Sequence, residues 1–286
     1  MIKKKYNNVP WSVIYSLEDG ARLNHLSYNN YDLLTAEPKF FRPPTTDYGL
    51  YETRPVYGYD DCFPSCDPCK FPGSEWDVPD HGEICWLKWQ VIEKENHLIF
   101  RIKSEVLPLI FKREMIFYRN SLTWKFEVQN NANVTLPFVH IIHPLLPLDE
   151  IVDLKLPAFE TVYDEIADRI LQLKDEESAQ KFLFNQKKGN FNMLFLQNVQ
   201  SGKMCWKYKN NLQIEMTFPV EFFPTIGIWW NNSAYPDEDG CRRNECAFEP
   251  VPGHVSDLSK AHKHGNCLSV LPQNSFSWEI VWEMYY

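Results

Sequence analysis

The stretch "RRNECAFEPVPGH", residues 242–254, ends an alternating run on a carboxylate and then stiffens the backbone behind it. Read as a strand, it puts Glu245, Ala247 and Glu249 on one face and Cys246, Phe248 and Pro250 on the other. Taken alone, Glu249 is a solvated strand-end carboxylate. Pro250 biases Glu249 toward an extended backbone and Pro252 restrains the residues after it, which suits a base that must hold its direction. A matching proton donor is available in "FVHIIHPLLP", residues 138–147. Imidazole is the side chain best suited to give and take protons near neutral pH. His140 and His143 are three apart, so a regular strand sends them to opposite sides, and only a bulge would bring both into one site. Pro144 favours an extended backbone at His143. His140 is the better match to a core histidine bonded to a carbonyl.

Weaker signals accompany these two. In "DVPDHGEICW" (77–86), Gly82 permits a sharp turn or a close approach, and His81 stands before what reads as a strand, "EICWLKW". "GIWWNN" (227–232) sets Trp229 and Trp230 at a strand end. A Trp face suits the C–H side of a pyranose, and Asn231 or Asn232 can bond hydroxyls. Adjacent residues diverge, so one Trp belongs to the core and the other forms a platform. "KAHKHG" (260–265) places His262 and His264 two apart but has no further ligand pattern, and it reads as a solvated loop. Cys62, Cys66 and Cys69 cluster in "DDCFPSCDPC". No second Cys-x-x-Cys supplies a metal's remaining ligands, and reduced thiols in a Pro-rich loop are preferred to a metal site or a disulfide. Walker A, G-x-G-x-x-G, H-E-x-x-H and G-x-S-x-G sequences are absent, so the nucleotide, zinc-protease and α/β-hydrolase readings lose their usual support.

The elements that must position these groups are strands. "LTWKFEVQN" (122–130) alternates Leu122, Trp124, Phe126 and Val128 on one face. "HLIFRIKSEV" and "REMIFYRN" repeat the pattern, and "SFSWEIVWEMYY" supplies a final strand that closes the sheet. One short helix is expected in "DEESAQKFLF" (175–184). The Pro-rich stretch 35–73 reads as a long ordered loop lying against the sheet. Across 286 residues no repeat or linker appears, so a single domain over residues 1–286 is expected. The aromatic fraction of 15%, with 20 Pro against 11 Gly, suits a strand-rich chain with stiff turns. The fold class expected is all-β, a large antiparallel sandwich. A net charge of −9 argues against a nucleic-acid partner. No apolar run reaches membrane-helix length, and the basic start "MIKKKYNNVPWSVIY" lacks the apolar segment of a signal peptide, so a soluble cytoplasmic protein is expected.

The order of these pieces resembles the galactose mutarotase-like (aldose 1-epimerase-like) family along nearly the whole chain. "DGARLNHLSYNNYDLLTAEP" is similar to its opening hairpin and "PDHGEICWLKW" to its His-Gly segment. "LTWKFEVQNNANVTLPFVHIIHPLL" resembles its strand, Asn turn and histidine strand. "CAFEPVPGHVSDL" and "VLPQNSFSWEIVWEM" resemble its Glu strand and closing strand. The resemblance implies a β-supersandwich with a sugar-binding cleft and no cofactor or metal. It implies Glu249 as the base at the anomeric hydroxyl, His143 as the acid at the ring oxygen, and His81 as a substrate contact. It reverses the solvated reading of Glu249. Glu and His start in opposite protonation states near neutral pH, with ordinary pKa values of about 4.3 and about 6.5. The family's Asn-Arg pair is missing from "ETRPVYGYDDCFPSC", where Arg54 and Asp61 are the candidates to replace it, and its substrate-binding Asp before "GIWWNN" has no counterpart. The function implied is anomer interconversion of a sugar, with non-catalytic carbohydrate binding as the alternative and a hexose-phosphate epimerase ranked below both.

Overall fold

The computed structural model describes residues 2–39, 51, 54–238 and 240–286. The period-two alternation of the sequence becomes an antiparallel sandwich. Its first layer is an eight-stranded sheet. The strands run in the order Ile151–Lys155, Lys203–Tyr208, Gln213–Thr217, Ser275–Tyr285, Ser121–Asn130, Leu109–Phe117, His97–Lys103 and Gln90–Glu93. Leu122, Trp124 and Phe126 pair across the register with Trp282, Ile280 and Trp278, and all six are buried. Burial of each such side chain is worth about 1.5–3 kcal/mol, so this seam holds the layer together. The last strand lies between two others inside the sheet.

The second layer is two six-stranded sheets. One runs Lys4–Asn8, Trp11–Ser16, Arg22–Tyr28, Tyr59–Cys62, Ile141–Pro144, with Tyr31–Asp32 paired to Arg22–Tyr28. The other runs Leu146–Pro147, Asn244–Val251, Thr225–Asn232, Asn190–Gln197, Thr161–Asp164, Arg169–Leu171. Ring contacts tie both to the first layer: Tyr15 to Phe100 at 5.1 Å, Tyr59 to Trp124 at 4.6 Å, and Trp206 to Phe248 at 5.2 Å. Only Leu145 separates Ile141–Pro144 from Leu146–Pro147 in the chain. The first of these strands ends one sheet and the second begins the other, so the His143 strand is brought beside the Glu249 strand.

Helix is scarce. The segment expected to be helical forms Glu176–Phe184, begun by Asp175 and Ser178 in a reciprocal capping box. "KAHKHG" is not the loop expected. It belongs to the helix Leu258–His264, capped by the Asp257 side chain on the Lys260 N–H and ended by left-handed Gly265. "EICWLKW" is not a strand: Ile84–Trp86 forms a single 3-10 turn, and the next strand starts at Gln90. The stretch 35–73 is not loop throughout, since Tyr59–Cys62 is a fully buried strand and Cys69–Lys70 a short one. Part of it, residues 40–50, 52 and 53, lies outside the described residues. No helix among the described residues is long and apolar enough to cross a membrane.

Candidate functional site

The Glu249 strand, Asn244–Val251, lies between Leu146–Pro147 and Thr225–Asn232. Its register pairs Glu249 with Gly227. A Cβ at Gly227 would meet a Glu249 carboxylate oxygen at 3.3 Å and the Met193 methyl at 2.9 Å, so the missing side chain makes room for the carboxylate. Cys246 and Phe248 enter the main core, while Glu245, Ala247 and Glu249 take the other face. Glu249 is not a solvated strand end: it is 4% exposed. It lines a cavity of about 360 Å³, and among the described residues no donor bonds its carboxylate. Burial pushes its pKa up to about 7, with His143 pulling the other way and Glu165 and Asp60 adding to the rise.

His143 faces the same cavity from Ile141–Pro144. Its register partner Asp60 accepts from Nδ1 at 3.0 Å, which turns Nε2 away as the free ring nitrogen. Asp60 also accepts from Arg22 Nη2 at 2.9 Å and from the Tyr51 hydroxyl at 2.6 Å. Burial works against its charge, but Arg22 and the His143 bond outweigh it and hold Asp60 well below the usual carboxylate range. His143 therefore sits on a fixed anion, an arrangement that orients the ring.

His81 completes this wall. The turn that carries it uses positive φ at both His81 (61°) and Gly82 (76°). A Cβ on Gly82 would strike the Phe63 carbonyl oxygen at 2.0 Å, so only glycine allows the approach. His81 Nδ1 bonds Asp80 at 2.7 Å, and Asp80 also accepts the Tyr51 N–H at 3.0 Å. The imidazole lies flat on the Tyr51 ring, with centroids 3.6 Å apart and planes 5° apart, and its centroid is 5.2 Å from that of His143.

The facing wall is aromatic. Trp229, Phe191 and Tyr235 make mutual ring contacts of 5.4–5.8 Å. Trp229 donates to Glu245 at 3.2 Å, and Glu245 also receives the Arg243 guanidinium at 2.8 Å. Glu165 and Asp67 line the cavity as further acids. Burial and the neighbouring Asp67 push Glu165 up to about 7.

Four residues that the sequence suggested as sugar contacts do not line this cavity. Trp230 is core, packed on Phe184 at 5.4 Å, because adjacent strand residues diverge. Asn231 is fully buried and ties down its turn, accepting from the Ala234 and Tyr235 N–H groups and donating to the Tyr235 carbonyl. It thereby presents Tyr235 to the cavity. Arg54 is buried behind Tyr51, paired with Asp19 and bonded to the Cys85 carbonyl at 2.6 Å. Asp61 points into the core, where it holds Arg113 at 2.5 Å and His140 at 3.0 Å. Asp60, Tyr51, Phe191, Tyr235 and Glu245 were not suggested by the sequence reading. For Asp60 the signal was present in "YDDC": read as a strand, that segment must send one Asp to each face.

Comparison with solved structures shows the fold. A galactose mutarotase-related enzyme from Lactobacillus acidophilus superposes with a TM-score of 0.71 at 15% identity, covering 100% of this chain and 98% of its own. A galactose mutarotase-like protein from Lactobacillus casei ATCC 334 gives 0.67 at 14%, covering 99% and 100%. The galactose 1-epimerase from Lactobacillus acidophilus NCFM gives 0.58 at 11%, covering 99% and 94%. No protein-family model and no curated protein sequence matches the chain. The architecture is the galactose mutarotase-like β-sandwich.

Proposed function

We propose that this protein interconverts the anomers of a neutral sugar by general acid–base catalysis, with Glu249 as base and His143 as acid. The observation that carries the reading is the convergence of two side chains from different sheets on one cavity. One is a buried carboxylate that no donor among the described residues bonds, and the other an imidazole seated on an anion. Glu249 takes the proton of the anomeric hydroxyl while His143 Nε2 gives one to the ring oxygen. The bond from C1 to the ring oxygen breaks, the C1 carbonyl forms, and rotation about C1–C2 exposes its other face. Ring closure returns both protons to their donors, so no group is consumed. Each proton transfer of this kind contributes roughly two to four orders of magnitude in rate. The raised pKa of Glu249 makes it a stronger base than an ordinary carboxylate, poised near working pH.

The rest of the lining supports a sugar. Trp229, Phe191 and Tyr235 offer apolar faces for ring C–H groups, and His81 offers a polar contact for a hydroxyl. Asp67, Glu165, Glu245 and Glu249 make the cavity acidic, and the Arg243 guanidinium is already engaged by Glu245. That charge balance disfavours a phosphorylated sugar. Anomer exchange followed by NMR across a panel of free aldoses tests the proposal. Saturable exchange above the buffer rate is expected, and its loss is expected in Glu249→Gln. Saturable binding with no exchange would point instead to a carbohydrate-binding protein.

A further inference from the structure

We propose that Cys62, His81 and His143 form a binding site for a thiophilic divalent cation such as Zn²⁺, with the two histidines lining the cavity and Cys62 buried behind them. One ligand atom from each of the three lies within 4.8 Å of the other two. The three come from separate segments: the strand Tyr59–Cys62, the His-Gly turn and the strand Ile141–Pro144. In the pairing of the two strands Cys62 faces Ile141 and Asp60 faces His143, so the thiol and the imidazole share the face that looks into the site.

The chemistry of the set fits. Both imidazoles use Nδ1 to hold a carboxylate, His81 on Asp80 at 2.7 Å and His143 on Asp60 at 3.0 Å. Nε2 is then the free nitrogen on each ring. A carboxylate behind a histidine fixes its tautomer and raises its basicity toward a metal. One sulfur and two ring nitrogens form the set that zinc takes when it keeps a fourth position open. Zinc–sulfur and zinc–nitrogen bonds of about 2.3 and 2.0–2.1 Å imply tetrahedral edges of roughly 3.3–3.6 Å. The donor atoms, within 4.8 Å of one another, would draw together to reach that size. Cys66, whose thiol adjoins that of Cys62, lines the cavity beside the set. On binding, the Cys62 thiol proton passes to solvent. Ions that prefer oxygen ligands, such as Mg²⁺, gain little from these donors.

Such an ion would occupy the Nε2 of His143. Loss of anomer exchange on adding Zn²⁺ follows only if the proposed function holds, whereas binding does not depend on it. The experiment therefore reads binding directly. Isothermal titration of the full chain with ZnCl₂ is expected to show one site, with Zn²⁺ raising the melting temperature and Mg²⁺ leaving it unchanged. Cys62→Ser, a near-isosteric change, is expected to weaken Zn²⁺ binding at least about tenfold, comparable to the loss of a metal-site partner. Co²⁺ in place of Zn²⁺ should show a thiolate charge-transfer band in the parent and none in Cys62→Ser. Cys267, whose sulfur lies 3.8 Å from His262 Nδ1 on the helix Leu258–His264, provides the control, and Cys267→Ser should bind as the parent does. Absence of Zn²⁺ binding, binding unaffected by Cys62→Ser, or binding lost in Cys267→Ser instead would overturn the proposal. If Cys62→Ser does not fold, a parent cobalt spectrum without a thiolate band is equally decisive against it.

Discussion

Replacing Glu249 with Gln should stabilise this protein in a pH-dependent way while abolishing the proposed anomer exchange. The carboxyl is buried and unbonded among the described residues, and burial, with Glu165 and Asp60, lifts its pKa from 4.5 to about 7. Below pH 4.5 the folded and unfolded chains both hold the proton, and ionisation costs nothing. Between 4.5 and about 7 the unfolded chain releases it and the folded chain keeps it, so stability falls as pH rises. Above about 7 both are ionised and the cost is constant. At about 1.4 kcal/mol per pH unit the accumulated cost is about 3 kcal/mol. Gln has the same shape and no charge to bury. The stability of Glu249→Gln relative to the parent should therefore improve by about 3 kcal/mol between pH 4.5 and pH 8. Glu165, also raised to about 7, adds its slope to both proteins and largely cancels from the difference. Urea unfolding of both proteins at intervals from pH 4.5 to 8.5 measures it. A difference that stays flat with pH, or that falls as pH rises, would refute the picture of a carboxylate held against its desolvation cost.

Other outcomes rest on the same geometry. His143→Asn should lower the anomer-exchange rate by about 10²- to 10⁴-fold, read by exchange NMR. Gly227→Ala puts a methyl 3.3 Å from a Glu249 oxygen and 2.9 Å from the Met193 methyl, and should cost about 1–3 kcal/mol in unfolding experiments as well as activity. Trp229→Ala should raise KM with little change in melting temperature, whereas Trp230→Ala should cost about 3–5 kcal/mol of stability, because only Trp230 is core. Asp61→Ala should destabilise by about 3–5 kcal/mol, since it leaves the fully buried Arg113 without its carboxylate, and any residual folded protein should bind sugar as the parent does.

Four strands of the eight-stranded layer could be read from sequence because each buries one face and exposes more of the other. Leu122, Trp124, Phe126 and Val128 announce their side at every second position. The pair of facing catalytic candidates was visible through the colinear order of motifs, while their setting was not. Tyr59–Cys62 is buried on both faces and carries two aspartates, so its composition looks like a loop. That concealed Asp60, which seats His143, and made Asp61 look available when it is committed to Arg113. Arg54 was suggested by its position in the chain, but its charge is spent on Asp19 behind Tyr51. The helix Leu258–His264 was missed because it is short and rests on its two caps rather than on a long apolar stripe. The Cys62, His81 and His143 set has no linear spacing to detect, since strand pairing alone assembles it.

The proposed chemistry sets Glu249 as base and His143 as acid across one cavity. Its most direct test is anomer exchange by NMR on the parent, Glu249→Gln and His143→Asn, across free aldoses and from pH 5 to pH 9. For at least one sugar the parent should exchange anomers well above the buffer rate. The rate should climb from pH 5 as pH approaches about 7, where Glu249 ionises, and both variants should fall to near background. Full exchange in either variant, or saturable sugar binding by a parent that never exchanges anomers, would contradict it.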